Sequence, residues 1–186
     1  MEFGWRPGIG DPTLTGWMTV VCYFIAAGYS YAVARRIASA GHERELFVWW
    51  SLVVLFAFLG LNKQLDLQSA LTEIGRYLAH HQGWYEQRQV VQIAFVSGIA
   101  LVLLALTAAC VLLFRDLPSQ TLLALLGAGL VLTFVVIRAA SFHHVDAFIS
   151  SRFASVRWNA ILELGGISIV LIAAYLRLNA EDERAQ

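Results

Sequence analysis

The residues of this chain best suited to chemistry gather in three short strings. Asn62-Lys63-Gln64-Leu65-Asp66-Leu67-Gln68 stacks five polar side chains directly after an apolar run. Arg138-Ala139-Ala140-Ser141-Phe142-His143-His144-Val145-Asp146 follows another such run, and Asn159 and Glu163 stand at the start of a third. On a helix Lys63 and Asp66, three apart, can pair. His143 and Asp146 lie one turn apart, so the carboxylate can orient the imidazole or share an ion with it. Glu163 falls inside an apolar run, where a carboxylate is costly unless it has a partner, meets a wet cavity or is protonated. Arg138 is the partner expected for it.

Two kinds of reaction chemistry use these types. Metal binding would draw on His80, His143 and His144 with Asp146, and with Asp66 and Glu73 as further acidic groups. Neighbouring histidines on a helix point about 100° apart, so His80-His81 and His143-His144 would each give one ligand to a common site. The sequence has no H-E-x-x-H, no His-x-x-x-His and no pair of C-x-x-C motifs. Hydrolysis within the membrane would use Ser141 as nucleophile with His144 three residues on as its base, and His143, Asp66 and Glu163 as supporting groups. Simple binding needs less: Asn62, Lys63, Gln64, Glu73, Arg138 and Asn159 supply amides and charges, and Trp84 and Tyr85 set two aromatic rings beside Glu86, Gln87 and Arg88.

Of the residues, 59% are hydrophobic and 14% charged, against about 45–50% apolar in ordinary soluble domains. Five apolar runs, 17–34, 46–61, 90–114, 121–137 and 160–176, each approach the roughly 20 residues that cross hydrocarbon. The expected fold is an all-α integral membrane bundle of five transmembrane helices, one domain over 1–186. Asp11-Pro12-Thr13 marks the start of the first helix, Arg35-Arg36 and Gly41 its end, and Trp49-Trp50 an interfacial belt. Gly127 and Gly129 allow close helix approach. The first run lacks a basic leader, Arg6 alone preceding it, and reads as a span. Cys22 and Cys110 both fall in apolar runs and read as small packing residues.

Between spans two and three, Asn62, Asp66, Ser69, Glu73, Arg76 and His80 recur at spacings of three and four, while Leu67, Leu71, Ile74 and Leu78 line another face about 150° away. Residues 62–81 are therefore expected to form one amphipathic interfacial helix. An odd number of crossings puts the three strings at the same membrane face. Positive charges divide seven to six between the faces. The first span is flanked by Arg6 before it and by Arg35, Arg36 and Arg44 after it, favouring an outside amino terminus and a cytoplasmic carboxy terminus in a bacterial inner membrane.

Zero formal net charge argues against nucleic acid as a partner. Five spans with no evident inverted repeat, and few ionisable groups in their middles, give no lined transport path in one chain. The expected function is that of a binding or accessory subunit of a larger membrane assembly, holding a divalent metal, a lipid or a pigment, with lipid, other subunits or a second copy as partners. A metal-dependent membrane-embedded hydrolase built on the same cluster is the alternative.

Overall fold

Backbone groups in hydrocarbon must bond internally, so a chain this apolar is expected to be helical. The computed structural model describes residues 11–38, 41–65, 88–140, 152–153 and 156–185. Five helices run through them: α1 Leu14–Ile37, α2 Glu43–Leu65, α3 Arg88–Leu113, α4 Ser119–Ala140 and α5 Trp158–Ala185. A two-residue antiparallel ladder, β1 Arg152–Phe153 with β2 Val156–Arg157, leads into α5. Among the described residues, four helices are long and apolar enough to cross a membrane: Leu14–Ile37, Glu43–Leu65, Ser119–Val136 and Ile161–Ala180. Among the described residues α3 contributes the apolar stretch Ser97–Leu113.

Local chemistry sets the helix ends. Thr13, rather than Asp11, caps α1: its hydroxyl accepts from the Gly16 amide at 3.1 Å. Asp11 supports the cap by accepting from the Thr13 amide and hydroxyl. Gly41 takes φ +71° between α1 and α2, a left-handed conformation that glycine adopts without steric cost. The four long apolar helices each continue past their apolar runs at both ends. Asn62 to Leu65, expected to begin the interfacial helix, are helical and continuous with α2. The rest of that expected helix, 66–81, lies outside the described residues.

α1 packs against α2 on one side and α5 on the other, α5 packs against α4, and α3 lies outside, against α4. α2 and α4 touch sparingly, so the ring of four helices has one loose seam. Tyr23, Trp49, Phe56, Val131, Ile167 and Val170 fill the interior. Phe47, Val54, Leu101 and Leu112, each about two-thirds exposed, face outward, as side chains do where lipid is the solvent. The two glycines of α4 serve different neighbours. A Cβ at Gly127 would sit 2.8 Å from Val170 and 3.1 Å from the Gly166 carbonyl of α5, whereas one at Gly129 would collide with Thr107 of α3.

That packing gives a direct test. Gly127→Leu must push α4 from α5 and is expected to cost about 1–3 kcal/mol, the range for overpacking a filled site. Gly28→Leu, at a glycine with nothing within 4 Å of the added carbon, should leave stability unchanged. Thermal unfolding in detergent, followed by size-exclusion chromatography, compares the two.

Candidate functional site

Helical side chains lean toward their own amino terminus, and this decides where the charges at the helix ends go. Lys63 and Arg138 stand near the carboxy ends of α2 and α4, so both reach back into the bundle. Glu163 lies in the second turn of α5, at the same end of the molecule. Its carboxylate is almost wholly buried and fully engaged: Oε2 accepts from Lys63 Nζ at 2.6 Å, and Oε1 accepts from the Tyr23 hydroxyl at 2.8 Å. Arg138 Nη1 stands 3.9 Å from Oε2. The partner of Glu163 is thus Lys63, the only lysine in the chain, with Arg138 in a second position. The sequence reading names Arg138 for the nearer place and sets Lys63 beside Asp66 instead. Spacing along the sequence places both cations at this end without ranking their distances.

Asp11 completes the electrostatics of this end from outside the helices. Partial burial would raise its pKa, but the Thr13 hydrogen bonds and the charges of Lys63 and Arg138 hold it below the usual carboxylate value. Gln64 Nε2 lies 3.4 Å from the Asp11 carbonyl. Two acids and two bases therefore meet here. Beside them, the buried Asn62 Oδ1 and Gln64 Oε1 accept no hydrogen bond among the described residues. Buried acceptors usually find donors, so these two have acceptor capacity to spare for a donor-bearing group.

Of the residues singled out from the sequence, Asn62, Lys63, Gln64, Arg138 and Glu163 come together, and Asn159 lies in the first turn of α5. Asp66, Glu73, His80, Trp84, Tyr85, Ser141, His143, His144 and Asp146 lie outside the described residues. So do the metal and nucleophile constellations built on them. Among the described residues no three of His, Cys, Asp and Glu gather. Tyr23 was missed, because one tyrosine in an apolar run reads as packing.

A second cluster, at the opposite end, was missed altogether. Glu45, fully buried, accepts from Arg177 Nε at 2.7 Å on Oε1 and from Arg177 Nη2 at 3.0 Å on Oε2. Thr121 donates its hydroxyl to Glu45 Oε1 at 2.6 Å, and Trp49 Nε1 points at the same oxygen from 3.3 Å. Above this pair opens a cleft of about 730 Å³, bordered by His42, Glu43, Asp116 and Gln120. On its rim Arg44 pairs with Asp116 at 2.6 Å and stacks over Phe114. Glu45 and Lys63 are eighteen residues apart on α2, about 27 Å at 1.5 Å per residue. That separation is close to the thickness of a hydrocarbon layer, about 30 Å.

No protein-family model matches the chain, and no characterised protein or solved structure matches it. Function must therefore be read from these two clusters.

Breaking a buried ion pair strands a charge, whereas removing both partners does not. Lys63→Met and Glu163→Leu singly are each expected to cost about 3–5 kcal/mol, and the double variant much less than their sum. Equilibrium unfolding in micelles measures the coupling. Asp11 gives a pH effect of defined sign. Its lowered pKa stabilises the fold above the unfolded value, and that contribution fades as pH falls through the folded one. Asp11→Ala should flatten the acid limb of the stability curve.

Proposed function

We propose that this chain is an integral membrane protein of five spans, α3 included, whose cluster at the ends of α2 and α4 and the start of α5 binds a polar, donor-bearing group. The observation that carries the reading is the pair of donorless acceptors, Asn62 Oδ1 and Gln64 Oε1, flanking a buried lysine–carboxylate pair. Polar atoms are placed in such surroundings at a cost that only a partner offsets.

The role proposed is that of a binding or accessory subunit in a larger membrane assembly. In support, α3 packs on α4 and leaves Leu101, Val102, Leu104 and Leu106 exposed, an apolar face suited to a neighbouring helix or to lipid. The balance of arginines around α1 favours an outside amino terminus in a bacterial inner membrane.

Native mass spectrometry of the protein drawn from its membrane in mild detergent tests this. The wild type should carry a bound mass, either a subunit or a small molecule, at about one per chain. Asn62→Leu with Gln64→Leu should lose it while keeping the same elution profile. A bare chain, or a double variant that still holds the mass, contradicts the reading.

A further inference from the structure

The two clusters are related to each other in a way the sequence does not display. α1 with α2, and α4 with α5, form two antiparallel hairpins, and α3 between them reverses the direction in which the second is threaded. α1 and α4 therefore cross in opposite senses, as do α2 and α5. Within each hairpin the second helix carries an acid near its start and a base near its end: Glu45 and Lys63 on α2, Glu163 and Arg177 on α5. Each acid pairs with the base of the other hairpin, Glu45 with Arg177 and Glu163 with Lys63. Each acid also accepts a hydroxyl from the first helix of the other hairpin, Tyr23 of α1 for Glu163 and Thr121 of α4 for Glu45.

The interior repeats the pattern. The second halves of α1 and α4 each bury a hydroxyl with no partner among the described residues, Ser30 and Thr133. One operation accounts for all of these correspondences: a two-fold axis lying in the membrane plane and exchanging the hairpins. The match is approximate, since acid and base are eighteen residues apart on α2 and fourteen on α5.

The symmetry is also broken in one informative respect. The axis exchanges the α1–α5 seam with the α2–α4 seam, yet the first is closely packed and the second loose. The cleft lies at the mouth of the loose seam, at the Glu45 end. At the Glu163 end Asp11 packs onto Gly16 at the start of α1. Inverted repeats caught in unequal packing are how alternating-access carriers are built, each repeat taking in turn the arrangement of the other.

We propose that the two hairpins are inverted structural repeats and that the protein is a two-gated carrier, its gates being the Glu45–Arg177 and Lys63–Glu163 pairs, which open one at a time. The arrangement described has its approach open at the Glu45 end. A gate opens by parting a buried carboxylate from its base, and a carboxylate still buried needs another cation in that place. The species carried is therefore a small cation or a solute bearing one. This inference rests on the ion pairs and the hairpin packing and uses neither Asn62 nor Gln64, so it stands apart from the binding reading.

The test is sided labelling. In full-length protein with Cys22 and Cys110 replaced by serine, Ser30→Cys or Thr133→Cys places one thiol between the gates. Membrane vesicles of each orientation receive a membrane-impermeant sulfonatoethyl methanethiosulfonate. Glu45→Gln should raise labelling about tenfold from the Glu45 face alone, and Glu163→Gln about tenfold from the Glu163 face alone, as a shift in the population of one open gate requires. If both substitutions raise labelling from the same face, or neither does so in protein with a wild-type elution profile, the pairs are struts and the carrier is overturned. Where a glutamine variant fails to fold, Glu45→Asp and Glu163→Asp, which keep the charge and lengthen the gap, are read by the same criterion.

Discussion

A carboxylate placed among apolar helices must find a cation, and this chain places two. Glu45 and Glu163 are both buried, and each takes its base from the far side of the bundle. On α2 the helix dipole assists, because Glu45 lies in the first turn and Lys63 in the last, where it favours those signs. Antiparallel α2 and α5 then bring acid to base at both ends. Turning either helix by one residue, about 100°, would strand four charges at once. The two pairs thus fix rotation and register more sharply than the apolar contacts between them.

Between the pairs the molecule relies on close approach. α4 and α5 meet through Gly127 and Gly166, where there is no room for a side chain, and Ala26, Ala128, Ala173 and Ala174 continue the small-residue packing. α2 joins the ring through α1 and through its charged ends, since it makes little contact with α4. α2 packs along α1 but is open on its α4 side, where the cleft lies at one end, so the α2–α4 seam has freedom that the α4–α5 pair lacks. The functional readings place binding and movement in that part of the fold.

The apolar runs made the helical, membrane-type architecture legible in the sequence, and the residues that interrupt them pointed to Lys63, Arg138 and Glu163. Other features were hidden for physical reasons. Helices outlast their apolar runs, because backbone hydrogen bonding continues where side-chain hydropathy stops; α2 spans Glu43–Leu65 around a run of 46–61. Glu45 and Arg177 stand in those margins, just outside the apolar runs, yet both are buried. Tyr23 looked like packing, and only its hydroxyl distance to Glu163 shows otherwise. The inverted relation between hairpins survives in residue type at a few positions, with unequal spacing. No period in the sequence betrays it.

Lys63 being the sole lysine allows its ion pair to be observed alone. Protein labelled with ¹⁵N at the lysine ζ position and ¹³C at glutamate Cδ, reconstituted in lipid bilayers, gives one ammonium signal whose dipolar coupling to carbon measures the contact by solid-state NMR. The 2.6 Å Nζ–Oε2 pair requires a strong coupling to one glutamate, abolished by Glu163→Gln in protein labelled the same way. An ammonium uncoupled from any carboxyl carbon, or a coupling that survives the substitution, would contradict the pairing on which the rest of the structure depends.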